Sequence, residues 1–264
     1  MMNLSLAPHL RSIKCFFIII TCGLYAATSS QSFNRSASTS VRAQSFQTQE
    51  GGTSRAAPRF DVLVRNDFFA GMMGDAARLD RGMKFCEEIL ATNPKHADAL
   101  VWHGGGLLAR AAQSYAKGDT STGDTLWNRG LKEMNDAARF EPNNMGVKIG
   151  RSATLIGLAQ SGWDPSDAEG RALLLSALKD YEKVYQWQKP FFQKLSMHSR
   201  GELLFGLASG WSILGEREKA LKYLRLIIEE GKGTKYEREA QRWLGITPLP
   251  AVQHDCNGCH ISRS

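Results

Sequence analysis

From Pro58 onward apolar residues recur three and four positions apart, and no alternating run of strand length interrupts them. The spacing predicts an all-α chain. Late in this stretch Leu204, Leu207, Ala208 and Trp211 share one helical face, Gly215 marks a turn, and Ala220, Leu224 and Ile227 line the next helix. Lys235 to Leu244 sets Tyr236, Ala240 and Trp243 among charged residues, which predicts a short amphipathic helix closing the array. Pro248 and Pro250 stop that helix from continuing. Ser166-Asp167-Ala168-Glu169 has the form of a capping box and predicts a helix start near Asp167.

The same arrangement recurs upstream. Phe69, Ala70, Met73, Gly82, Cys86 and Pro94 hold equivalent places, with twelve residues from Ala70 to Gly82 as from Ala208 to Ala220. Two longer units lie between. In one, Trp102, Gly105 and Gly106 lead to Gly130, Met134, Ala137 and Pro142; in the other, Ile149, Ser152 and Ala153 lead to Ala177, Tyr181, Val184 and Pro190. Here the distance between small residues is twenty-four. Each middle unit is expected to carry an equal insertion, as extra turns on both helices around the loops Lys117 to Thr122 and Ser161 to Asp167. Small residues belong at these places because antiparallel helices approach closely only where side chains are short, while large residues fill the space on either side.

On these residues the chain resembles the tetratricopeptide repeat family from roughly Phe60 to Gly245. The doubled spacing departs from that family's fixed repeat length. The resemblance implies a right-handed superhelix of about four helix hairpins plus a capping helix, whose concave face holds a segment of a partner protein. Trp102, Tyr115, Trp127, Trp163, Tyr185 and Trp187 gather in or near the longer units, where they either touch a partner or fill wider gaps between longer helices. Cys86 is expected to be a buried packing residue.

The front of the chain bears on compartment. Arg11 and Lys14, with no acidic residue nearby, lead into the apolar run Cys15 to Ala27. This pattern predicts a signal sequence over 1–27, cleaved near Ala27 to Ser30, and export to a bacterial periplasm. An uncleaved anchor, or a lipid anchor on Cys22, would instead tether the protein to a membrane. Residues 28–58 are rich in Ser, Thr and Gln, with Phe33 and Phe46 the only large apolar side chains, and are expected to form a disordered linker.

The net charge of +7 falls to +5 without Arg11 and Lys14. Basic residues alternate with acidic ones, as in Glu216-Arg217-Glu218-Lys219, so they describe solvated helix faces and no nucleic-acid partner is expected. No catalytic constellation emerges. His103-Gly104-Gly105-Gly106 has the form of an esterase oxyanion motif, but no G-x-S-x-G accompanies it, and close helix packing explains the glycines better.

Two of the five cysteines, Cys15 and Cys22, fall in the apolar front, which leaves Cys86, Cys256 and Cys259. Cys256-Asn257-Gly258-Cys259-His260 has the C-x-x-C-H form of a covalent haem site, in which both thiols bond the porphyrin and His260 ligates iron. The tail is too short to wrap a haem, so the group would pack against the repeats or a partner. Met197, His198 and His254 are the candidates for the sixth ligand. A reversible disulfide, a partial metal site or a vestige are the competing readings of the motif. The expected whole is an exported protein-binding scaffold that carries one haem c and serves an electron-transfer or assembly complex, with a redox partner. The alternative is a cofactor-free scaffold of the cell envelope.

Overall fold

The computed structural model describes residues 59–245. The expected signal segment, the linker and the tail, with Cys256, Cys259 and His260, lie outside the described residues. The described residues are helical throughout, as the spacing predicts. The helices are α1 (Phe60–Met72), α2 (Ala76–Thr92), α3 (Ala97–Ala116), α4 (Thr120–Phe140), α5 (Met145–Gln160), α6 (Ala168–Gln188), α7 (Met197–Ile213), α8 (Arg217–Glu230) and α9 (Lys235–Leu244), with a 3-10 segment at Lys189–Lys194.

Local chemistry makes these helices into hairpins. At the end of α1, α3, α5 and α7 a glycine takes a left-handed backbone: Gly74, Gly118, Gly162 and Gly215, with φ between 75° and 110°. Each time, the N–H of the following residue donates to a carbonyl five positions back, as Asp119 does to Ser114 and Trp163 to Leu158. This closure satisfies carbonyls that the last turn would leave unpaired, and glycine adopts the required φ without a Cβ clash. The next helix is then started by an acidic cap in the first three hairpins, where Asp75, Asp119 and Asp167 accept from the N–H groups of Arg78, Thr122 and Gly170.

Packing follows the chain order. α1 lies on α2, α3 on α4, α5 on α6, α7 on α8, and α9 covers α8. Successive hairpins meet through α2 and α3, α4 and α5, α6 and α7, while α1, α3, α5 and α7 also touch one another in series. α1, α3, α5 and α7, the odd helices of the four hairpins, therefore form one continuous layer, with α2, α4, α6 and α8 packed beside it. Buried side chains fill three successive clusters, around Phe68, Met83 and Cys86, around Leu108, Trp127, Met134 and Leu155, and around Leu178, Leu204, Phe205 and Leu224.

The two middle units are longer, though not equally built. α3 and α4 have 20 and 21 residues, against 13 and 17 for α1 and α2 and 17 and 14 for α7 and α8. In the third hairpin α5 has only 16 residues, so its extra length goes into α6, with 21, and into the loop Ser161 to Asp167. The first loop is shorter than the expected Lys117 to Thr122, because Asp119 caps α4 and draws Thr120 into its first turn.

The backbone-to-backbone contact between α3 and α4 lies at a different residue from the one the spacing suggests. A Cβ on Gly104 would stand 2.8 Å from the Gly130 carbonyl oxygen, whereas one on Gly105 would meet nothing closer than 3.4 Å. In the third hairpin Ser152 faces the partner helix and donates its hydroxyl to the Ala177 carbonyl at 2.7 Å, while Ala153 is exposed. This small change of register aligns the middle hairpins at a separation of 47 to 48 residues: Gly104 with Ser152, Gly130 with Ala177, and Pro94, Pro142 and Pro190 at the hairpin junctions.

Candidate functional site

The two sides of the stack differ in chemistry. Among the described residues the exposed large apolar side chains are Val62, Leu63 and Met72 on α1, Met73 just after it, Ile149 on α5 and Phe191 on the 3-10 segment; none lies on α2, α4, α6 or α8. Those even helices instead carry dense charge, as in Lys132-Glu133-Met134-Asn135-Asp136 of α4 and Arg217-Glu218-Lys219 of α8. α5 is the extreme case. Its only charged residues, Lys148 and Arg151, are buried, and Gly146, Ile149 and Ala153 form its exposed positions. A surface with little charge and short side chains can receive an apolar segment closely, because few polar groups must be dehydrated.

The six aromatic residues singled out by position are mostly structural. Trp127 is buried and packs on Trp163 with ring centroids 5.5 Å apart. Trp102 leans on Phe68 and Phe69, and Tyr185 meets Phe192 and Tyr223 edge-on. Tyr115 donates its hydroxyl to Asp124 at 2.8 Å, and burial with that carboxylate holds its phenol well above the usual range. Trp187 stacks beneath the Lys183 ammonium at 4.7 Å. Most of these rings are thus spent on packing between neighbouring helices.

Buried charge forms a pattern that the sequence reading missed. Lys148 Nζ and Arg151 Nη1 donate to the two oxygens of Asp180 at 2.6 and 3.0 Å, and Arg151 Nη2 reaches Asn135 and Ser176, each at 3.0 Å. One hairpin earlier, His103 Nδ1 lies 2.5 Å from Glu133 and its Nε2 3.3 Å from Glu87. The two sets are equivalent by position: His103 corresponds to Arg151, Glu133 to Asp180 and Glu87 to Asn135, 47 or 48 residues apart. Each brace ties an odd helix to its own partner and to the even helix of the preceding hairpin. At the next joint the tie is direct, Tyr223 donating its hydroxyl to Glu182 at 3.2 Å. A basic residue immediately before the small contact residue of α3 and α5, with an acid three positions after the small residue of α4 and α6, is the signal that could have revealed them.

Of the candidate sixth ligands, His254 lies outside the described residues. Met197 opens α7 and packs against the last core cluster. His198 sits beside it, with Nδ1 2.9 Å from the Tyr236 hydroxyl on α9 and 3.6 Å from Glu202. Cys86 is fully buried, and desolvation, reinforced by Glu133 and Glu87, pushes its thiol up to about 12. Such a thiol packs as a small apolar group and is a poor nucleophile or ligand. His103-Gly104-Gly105-Gly106 serves the helix contacts described above, since Gly104 meets Gly130 and a Cβ on Gly106 would lie within 3.0 Å of Phe68 and Met83.

Among the described residues no three His, Cys, Asp or Glu side chains converge in a way that would hold a metal ion, and no helix is long and apolar enough to cross a membrane. No family model matches the chain, and searches of curated proteins and of solved structures found no match either.

Proposed function

We propose that this chain is an exported scaffold of tetratricopeptide-like build. The odd-helix layer is the concave face of a right-handed superhelix and holds an apolar segment of a partner protein. The tail carries one covalent c-type haem, and the whole serves a periplasmic electron-transfer or assembly complex. The observation that carries the binding part is the contrast between the layers, with exposed apolar residues such as Leu63 and Ile149 on the odd helices and charge on the even ones. Stacked hairpins commonly use such an inner layer for partner segments.

The haem part rests on Cys256, Cys259 and His260 in the C-x-x-C-H form, together with the export-like composition of residues 1–27. The two thiols would bond the porphyrin and His260 would bind iron, supplying one-electron chemistry. The test is expression with the native leader in a host that has the cytochrome c maturation machinery. Visible spectra and intact mass are then compared for the wild type and a Cys256→Ala, Cys259→Ala double variant. A covalent mass increment with Soret and α bands, lost in the double variant, supports the haem. Haem-free protein of normal helicity would sink it and leave the cofactor-free scaffold.

A further inference from the structure

We propose that the His103 brace is a proton-dependent latch between the first and second hairpins, closed when the imidazole carries both ring protons and loosened when it carries one. The inference does not depend on the tail or on any partner. His103 is buried, with 1% of its side chain exposed, and both ring nitrogens face carboxylate oxygens, Nδ1 toward Glu133 on α4 and Nε2 toward Glu87 on α2. An ionised carboxylate only accepts hydrogen bonds, and a neutral imidazole has a single N–H to give. Both contacts are therefore donated together only by the doubly protonated ring.

The groups around the ring set the charge balance. α4 contributes Glu133 and also Arg129, whose Nε donates to the other Glu133 oxygen at 2.9 Å. α2 contributes Glu87 and the neutral, buried Cys86 thiol. With the ring protonated the set is two cations against two anions; with one ring proton lost it has a net negative charge. Glu133 keeps its Arg129 partner in either state. Glu87 is 56% exposed and can turn to water, so the α2 contact is the one released. The equivalent brace in the third hairpin uses Arg151, whose guanidinium stays charged, and so has no such dependence. Of these two equivalent braces, the one at the first joint is therefore a latch that responds to pH and the one at the next a fixed bolt.

The test reads the proton directly and then its consequence. In wild-type protein labelled with 15N in its histidine rings, with His103 assigned by its loss in His103→Gln, raising the pH should carry the folded protein from a ring with two protonated nitrogens to a ring with one. Over that transition the protection factors of the α1 and α2 amides, taken against the intrinsic exchange rate at each pH, should fall at least several-fold, with the α5 and α6 amides much less affected. His103→Arg, which copies the other brace, should abolish this fall and hold the α2 protection near that of the wild type with its ring doubly protonated. A folded wild type whose His103 ring never carries two protons, or α2 protection in His103→Arg that tracks the wild type, overturns the latch. Should His103→Arg fail to fold, the ring measurement on the wild type decides alone.

Discussion

Gly104 and Gly130 press backbone against backbone: a Cβ on either would lie 2.8 Å from the carbonyl oxygen of the other. No rotamer can relieve such a clash, because the atoms that must move belong to α3 and α4 themselves. Gly104→Ala should therefore destabilise the protein by about 1–3 kcal/mol from overpacking, despite the better helix propensity of alanine. Gly157→Ala is the control, since nothing lies within 4 Å of a Cβ there. It should be neutral or stabilise by up to about 1 kcal/mol. Urea midpoints of the two variants check the contrast, and equal destabilisation would show that the contact is not the cause.

Asp180 holds two buried cations, and its loss leaves both without their carboxylate. Asp180→Ala should cost about 3–5 kcal/mol, because uncompensated buried charge is penalised far more than the intact pair contributes. Replacing Lys148, Arg151 and Asp180 together by apolar residues of similar size should cost much less. Chemical denaturation of the single and triple variants distinguishes the two results.

The buried Cys86 thiol predicts a specific alkaline effect. In the unfolded chain the thiol ionises near its ordinary value, about 8.5, while in the folded chain burial and the two neighbouring glutamates hold the proton to about 12. Between these values the folded state binds the extra proton, so stability is complete below the lower value and falls as pH rises through the window. The expected slope is about 1.4 kcal/mol per pH unit. Cys86→Ala should remove that slope after its own constant packing loss, as measured by unfolding at pH 7 to 10.5.

The cap at Asp167 is a smaller test. Its carboxylate accepts from the Gly170 N–H at 2.7 Å, and Asp167→Ala should cost about 1 kcal/mol. Asp167→Asn should retain most of the stability in the same melting experiment, since the amide oxygen can still accept.

How much of this was legible in the chain depends on the range of the interaction. The helix over Lys235–Leu244, the start at Asp167 and the burial of Cys86 follow from local spacing, and the structure has each of them. The glycines at 74, 118 and 162 are a local signal too, as visible as Gly215, and they mark every hairpin turn. Neighbouring residues suffice for such features because capping, turn closure and amphipathicity involve groups within a few positions of one another.

Register between helices is different. Composition offers Gly104, Gly105 and Gly106 as equal candidates for the close contact, and only the packed helices choose Gly104. The same choice decides that Ser152, rather than Ala153, faces α6, and it brings Arg151 to Asp180 and His103 to Glu133 across some thirty residues of chain. The sequence by itself thus determines an all-α chain of paired helices and where its turns fall, because backbone propensity is local. Tertiary structure alone decides which glycine admits the neighbouring backbone and which charges become buried partners. Those outcomes depend on how two helix surfaces interlock, and a shift of one residue turns a side chain by about 100° around its helix.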